Sequence, residues 1–194
     1  MQFIQFNKHT NLEGLHAPFS ASQSHWLRYD DDKAIEVYRN KKASTMGSRL
    51  HAWAKETIDL KMRQPRSNKT IYAYINDAIG FDMNTEVVLF YSPRFFGTAD
   101  AICFRKNALR IHDLKTGKEP AKIEQLYVYA ALFCLEYNVK PSNISIELRL
   151  YQNDEVLYDN KETNPELAEI ISSIMDHIVH LDKVLEKEDY EEVY

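Results

Sequence analysis

This chain of 194 residues has only two cysteines, no long apolar run and no excess of positive charge. The two cysteines, Cys103 and Cys134, lie far apart and lack the paired spacing of a zinc or iron–sulfur site, so we interpret them as buried free thiols in a reducing compartment. The longest apolar run, residues 126–135, is too short to cross a bilayer, and MQFIQFNKHT at the start lacks the apolar core of a signal peptide. We therefore expect a cytoplasmic protein with no membrane partner.

The charge balance is slightly acidic. The 24 Lys and Arg residues against 29 Asp and Glu residues give a formal net charge of −5. Overall charge therefore does not draw the chain to nucleic acid, and contact with phosphates would need a local basic channel or metal ions. A chain of this length with 44% hydrophobic residues can form one substantial hydrophobic core but is too short for two stable domains. We therefore expect a single domain, 1–194.

Hydrophobic periodicity predicts helices around a strand-rich centre. The predicted helices are a short one near 26–27 and others at 31–40, from 44 to before 63, at 69–79, at 120–137 and at 164–187. The predicted strands are 85–91, 97–104, 108–114, 145–151 and a short partner at 154–159. The polar turn RKN favours antiparallel pairing of the second and third strands, and the helix before 145–151 requires a crossover. This order predicts an α/β fold with a mixed sheet.

Two acids and a lysine lie on or beside these predicted strands. Asp113 and Lys115 are two residues apart and project from one face of a strand, where the adjacent strand can bring Asp100. Two close carboxylates repel each other unless a pKa rises or a divalent cation binds, and oxygen ligands suit Mg²⁺ or Mn²⁺. A lysine beside such a cation can orient or help deprotonate a water and offset phosphate charge, which indicates metal-assisted phosphodiester hydrolysis. A bare DxK is nevertheless common by chance and also describes a surface ion pair.

Four short motifs in a fixed order make this pattern more specific. They are GSRLH at 47–51, GTAD at 97–100, DLK at 113–115 and QLYVY at 125–129. With the predicted αβββαβ order, they resemble the PD-(D/E)xK nucleases, and among them the RecB-like group that includes the RecB and AddB nuclease domains and the CRISPR-adaptation nucleases. The resemblance implies a restriction-endonuclease-like α/β core, with a central mixed sheet flanked by helices. It also implies a catalytic core at 46–160 between an N-terminal helical extension, 1–45, and a C-terminal helix with an acidic tail, 161–194.

The resemblance also implies roles for single residues. The metal, Mg²⁺ or Mn²⁺, would be held by four of them: the side chains of His51, Asp100 and Asp113 and the main-chain carbonyl of Leu114. Lys115 would be the catalytic lysine. Gln125 and Tyr129 would support the active site and contact the DNA backbone.

Some positions depart from the family pattern or stay open. Ala99 replaces the proline of the family name, as is usual in RecB-like members, and the four cysteines with which many relatives bind an iron–sulfur cluster are missing. We therefore expect no cluster and no fused helicase. Taken alone, His51 on an amphipathic helix would more often be a partly buried, hydrogen-bonded histidine than a ligand. Glu86 on the first strand could reach the metal, but strand-edge glutamates are usually solvated, so its participation stays open.

These expectations amount to a metal-dependent deoxyribonuclease, with exonuclease action favoured over endonuclease action. Its substrate would be single- or double-stranded DNA ends in recombination, repair, replication or phage DNA processing, in the host cytoplasm if the protein is viral. A homo-oligomer or a recombination or replication protein would be a further partner. Two alternatives remain: a nuclease-like fold that binds nucleic acid or assembles without catalysis, and a partner-binding α/β domain in which the motif matches are coincidence.

Overall fold

The computed structural model describes residues 17–117 and 119–191, with side chains described through residue 188. It consists of two compact units, Met1–Met46 and Gly47–Tyr194. Part of the predicted N-terminal extension, through residue 16, and the end of the predicted acidic tail, from residue 192, lie outside the described residues. The domain boundaries at 45/46 and 160/161 stay predictions.

The first long helix, α1, extends over Asp31–Asp59 without a break. The Asp30 carboxylate accepts the backbone N–H of Lys33 at 2.8 Å, which caps the start of the helix. Two separate helices, at 31–40 and from Ser44, were predicted, and that prediction is wrong. Residues 41–43 contain neither proline nor glycine, so nothing in their backbone chemistry ends the helix. The short helix predicted near Trp26 is a 3₁₀ turn at Ser24–Arg28.

Five strands form one sheet in the order of the sequence. They are β1 Asn84–Ser92, β2 Phe95–Arg105, β3 Ala108–Leu114, β4 Ser145–Gln152 and β5 Glu155–Asn160. β3 and β4 are parallel and the other neighbours are antiparallel, so the predicted α/β fold with a mixed sheet is confirmed. Lys106 and Asn107, both at positive φ, make the two-residue turn between β2 and β3, as the RKN signal predicted.

The remaining helices flank this sheet. They are α2 Thr70–Gly80, α3 Glu124–Glu136 and α4 Leu167–Glu191. α3 supplies the predicted crossover from β3 to β4, but it begins at Glu124 and not near Pro120. The Gln152 side chain accepts the N–H of Ala121 and donates to the carbonyls of Gly117 and Glu119, each at 2.8 Å. These bonds hold the segment before α3 in a non-helical conformation.

Two hydrophobic cores lie on the two sides of the sheet. α3 and α4 pack over one core, and the middle strands contribute residues such as Ile111 and Leu148 to it. α1 and α2 pack over the other, through residues such as Ile58 and Ile75 against Tyr151. Successive residues of a strand point to opposite faces, which is why Leu150 and Tyr151 belong to different cores. Among the described residues, none of the helices combines the length and the apolar character that crossing a membrane requires.

A partly buried polar cluster joins α2 to β4. Asp77 accepts hydrogen bonds from Arg149 at 2.8 Å and from the Tyr151 hydroxyl at 2.7 Å. Arg149 also forms an ion pair with Glu147 at 2.9 Å, and His112 on β3 lies next to that carboxylate with its ring fully buried. Because charges in a core are costly unless they are paired, this cluster fixes how α2 sits on the sheet.

Candidate metal and hydrolysis site

Two acids lie side by side on adjacent strands of the second unit. Ala101 on β2 pairs with His112 on β3, so one step further along each strand Asp100 comes next to Asp113. Their side chains are 16% and 3% exposed. The backbone N–H of Leu114 donates to Asp100 Oδ2 at 2.9 Å, which fixes that carboxylate against the end of β3.

This arrangement shifts the acid–base behaviour of Asp100. Burial, and then the charge of Asp113, raise its pKa from 3.8 to about 6, while the Leu114 N–H and His51 act in the opposite direction. Asp113 Oδ2 is buried and lies 2.9 Å from Lys115 Nζ, but it accepts no hydrogen bond of normal geometry. Closely spaced, buried and incompletely satisfied carboxylate oxygens are the donors that a small hard divalent cation prefers, so these residues fit Mg²⁺ or Mn²⁺.

His51 approaches Asp100 from α1. Its Nδ1 atom lies 3.5 Å from Asp100 Oδ2. One turn earlier, Gly47 is buried, and a Cβ atom at that position would lie only 2.6 Å from Thr116 Oγ1. The glycine of the GSRLH motif therefore permits α1 to pack tightly on the segment after β3, which is the segment that carries Lys115.

Lys115 follows directly after β3 and lies between two partners. Its ammonium group is 2.9 Å from Asp113 Oδ2 and donates to Gln125 Oε1 at 2.7 Å. Its own backbone N–H donates to the carbonyl of Tyr151 at 2.9 Å, which continues the β3–β4 pairing by one residue. The ammonium group is therefore held in place by a carboxylate, an amide and the sheet.

Gln125 and Tyr129 extend this network along α3. Gln125 Nε2 donates to the Tyr129 hydroxyl at 2.9 Å, one helical turn away. Burial raises the pKa of Tyr129, and the charges of Asp113 and Asp100 act in the same direction. Gly97 on β2 permits the tyrosine ring to approach, because a Cβ there would lie 2.8 Å from Tyr129 Cε1. The glycine of the GTAD motif thus has a packing role next to the acids.

Glu86 on β1 also reaches this group. Thr85 pairs with Ala101 and Val87 with Ala99, so the register puts Glu86 across from Asp100. One potential ligand atom from each of His51, Glu86 and Asp100 lies within 4.8 Å of the other two. Asp113 is not part of that set of three. From the sequence, the participation of Glu86 stayed open because strand-edge glutamates are usually solvated.

Tyr74 on α2 is a neighbour that the sequence analysis did not single out. It is buried, and burial followed by the charges of Asp100, Asp113 and Glu86 raises its pKa well above 10. Its ring packs edge-on against Tyr151 at a centroid distance of 5.4 Å. A buried aromatic residue on an amphipathic helix has no local sequence signal for such a position.

The seven residues selected from the sequence thus lie along a chain of contacts. His51 contacts Asp100, which contacts Leu114, and Asp113 contacts Lys115, which in turn contacts Gln125 and through it Tyr129. No protein-family model matches the chain, and no curated protein matches it either. The family resemblance therefore stays an interpretation of the four motifs and the α/β core.

Proposed function

We propose that this protein is a divalent-cation-dependent deoxyribonuclease that hydrolyses phosphodiester bonds. The observation that carries the proposal is the position of Lys115, whose ammonium group lies between Asp113 and Gln125 at the end of the strand beside Asp100. A lysine held next to paired carboxylates is suited to water activation beside a cation. The order of the four sequence motifs supports the same reaction.

The proposed cation ligands are the His51 ring, the carboxylates of Asp100 and Asp113 and the Leu114 carbonyl. Mg²⁺ or Mn²⁺ bound there would polarise the scissile phosphate and lower the pKa of water. The raised pKa of Asp100, about 6, reflects burial and then the repulsion of Asp113, and such a cation would offset both. No iron–sulfur cluster belongs to this proposal, since Cys103 and Cys134 are both buried, free and not clustered.

The protein's own residues have distinct tasks in this proposal. The Lys115 ammonium group orients the attacking water and offsets charge that develops on the phosphate. Asp113 and Gln125 hold that ammonium group in position, and Tyr129 holds Gln125. Gln125 and Tyr129, both on α3, would also contact the DNA backbone.

The proposed substrate is DNA with single- or double-stranded ends, and exonuclease action is favoured by the likeness of the motifs to RecB-like nucleases. A net charge of −5 means that the protein would depend on its cations and a few local basic groups to hold DNA. We place this activity in the cytoplasm, within DNA recombination, repair, replication or phage DNA processing. A homo-oligomer or a recombination or replication protein would be its further partner.

The test uses linear and covalently closed circular DNA, each single- and double-stranded, with Mg²⁺, Mn²⁺ or EDTA. Wild-type protein should degrade linear DNA only when a cation is present. Asp113→Asn should lose at least about 100-fold in rate, because it removes a proposed cation ligand and the carboxylate that positions Lys115, whose acid–base assistance alone would be of that size. Cutting of the circles would indicate endonuclease action. DNA binding without any cleavage across metals and salt concentrations would favour the non-catalytic alternative.

A further inference from the structure

We propose that Glu86 is an additional protein ligand of the divalent cation, contributed by β1. This inference rests on the proposed function, because it assumes that a cation binds beside Asp100. It goes further by adding a third strand to the site, so that β1, β2 and β3 each supply one acid: Glu86, Asp100 and Asp113.

Geometry is the first argument. The register puts Glu86 across from Asp100 on the side of β2 that is remote from Asp113. Its carboxylate lies within 4.8 Å of the ligand atoms of both His51 and Asp100. Ligand atoms on opposite sides of a magnesium ion lie about 4.2 Å apart, so small side-chain adjustments bring these three groups around one cation.

Charge is the second argument. Within residues 17–117 and 119–188, the Glu86 side chain has no hydrogen-bond or ion-pair partner, although it lies beside the carboxylate of Asp100. Asp113, nine-tenths buried or more, keeps an oxygen that accepts no hydrogen bond in the same group of acids. Glu86 is exposed, so water can solvate its carboxylate, but a cation bound beside Asp100 would also offset the repulsion between the two acids.

The consequence is a more anionic site than the His51, Asp100 and Asp113 side chains alone would make. An extra carboxylate favours hard cations and tightens their binding. Glu86 would therefore set cation affinity, while Lys115 on the other side of Asp100 would serve the water.

The test is Mn²⁺ binding, measured by calorimetry and by electron paramagnetic resonance without DNA. Glu86→Gln should weaken binding at least about tenfold, the smallest loss that is typical even for removing a hydrogen-bond partner of a metal ligand. Asp100→Asn is the positive control. Glu155→Gln, which changes an exposed strand glutamate on β5, is the matched control and should bind like wild type.

A second variant separates loss of the ligand from loss of folding. Glu86 has a φ of 52°, a left-handed conformation that glycine adopts readily, so Glu86→Gly should fold at least as stably as wild type without cation. It should nevertheless bind Mn²⁺ as weakly as Glu86→Gln. Wild-type affinity in both Glu86 variants, with weak binding by Asp100→Asn, would overturn the role of Glu86 and leave the proposed function standing. Absence of Mn²⁺ binding by the wild-type protein would overturn both.

Discussion

At the scale of single residues, Asp100 is the point where burial and like charge act together. Burial and the neighbouring Asp113 raise its pKa to about 6, above the 3.8 of an exposed aspartate. An acid with a raised pKa in the folded state contributes stability below its unfolded pKa, and that contribution is lost as the pH rises through about 6. The cation-free protein is therefore less stable at neutral pH than it would be with an uncharged group at this position.

Asp100→Asn should accordingly stabilise the cation-free protein at pH 7.5. The difference between pKa values of about 6 and 3.8 corresponds to at most about 3 kcal/mol in the free energy of unfolding. This gain should shrink toward zero near pH 4, because the wild-type carboxyl is then largely protonated. Urea unfolding in EDTA at both pH values measures the effect. An equal effect at both pH values, or a loss of stability at pH 7.5, would contradict the explanation.

Single residues of the site differ in how far the sequence could predict them. His51, Asp100 and Lys115 stand in motifs whose spacing is visible in the chain, and the structure brings them into a common group of contacts. Glu86 has no such spacing, since its position opposite Asp100 depends on the register of β1 with β2. A strand residue can be predicted to point to a face, but its partner across the sheet cannot be read from local sequence.

At the scale of elements, the site depends on how closely β2 and α3 approach each other. Gly97 and Tyr129 make this contact, and no side chain larger than hydrogen fits between them without movement. Tyr129 in turn accepts the hydrogen bond that orients Gln125 toward Lys115. Strand–helix packing is thus coupled to the position of the lysine.

Gly97→Ala should displace the Tyr129 ring and loosen this coupling. Overpacking of this kind costs about 1–3 kcal/mol in the free energy of unfolding, and we expect nuclease activity to fall as well. Gly80→Ala is the control, because no atom lies within 4 Å of a Cβ at that position and the change should be neutral or stabilise by about 0.4–1 kcal/mol. Chemical unfolding and DNA degradation rates measure both variants. Equal behaviour of the two alanine variants would contradict the packing role of Gly97.

The polar cluster that joins α2 to the sheet should make the folding stability depend on pH through Glu147. The His112 ring and the guanidinium groups of Arg149 and Arg110 lower the pKa of Glu147 from 4.5 to about 2. A lowered pKa in the folded state contributes stability above pH 4.5 that is lost as the pH falls through about 2.

Glu147→Gln should therefore destabilise the protein at pH 7 by at most about 3 kcal/mol, because solvent screens part of this interaction, and the difference from wild type should narrow as the pH falls from 4.5 toward 2. Urea unfolding at pH 7 and pH 3 provides the comparison, with Glu155→Gln on the exposed edge of β5 as the control. A loss of stability that is the same at both pH values would contradict this explanation, because it would show that Glu147 stabilises the cluster by its packing and not by its charge.

The elements themselves were predictable where the signal is local. The turn at Lys106 and Asn107 and the flanking strands follow from residues within a few positions of one another. The start of α3 was not predictable, because Gln152 on β4 holds the preceding segment from more than thirty residues away. The unbroken α1 was missed for the opposite reason, since residues 41–43 were interpreted as a boundary although they contain no helix breaker.

At the scale of the whole molecule, the formal net charge of −5 opposes the binding of DNA. A protein with this charge repels DNA at long range, so affinity should depend on bound cations. Binding of Lys115→Ala, which keeps all the proposed cation ligands, to labelled DNA in Mg²⁺ and in EDTA would measure that dependence with little cleavage. We expect clearly weaker binding in EDTA, and equal affinity in the two solutions would contradict it.

The overall architecture was predictable from element order, because three strands followed by a helix and a further strand require a crossover and hence a mixed sheet. The chemical activity of the protein is harder to predict from element order. The same α/β arrangement hosts many activities, so function must be argued from the site.

The most direct test of the central claim is the rate of linear DNA degradation in Mg²⁺ or Mn²⁺ by wild-type protein, Lys115→Ala and Lys161→Ala. Lys161 is an exposed lysine in the turn after β5 and serves as the matched control. We predict rapid degradation by wild type and Lys161→Ala and a loss of about 100-fold or more in Lys115→Ala, the range expected when an acid–base group is removed. Intact DNA with wild-type protein under all metals and salt concentrations, or equal rates for the two lysine variants, would contradict the assignment.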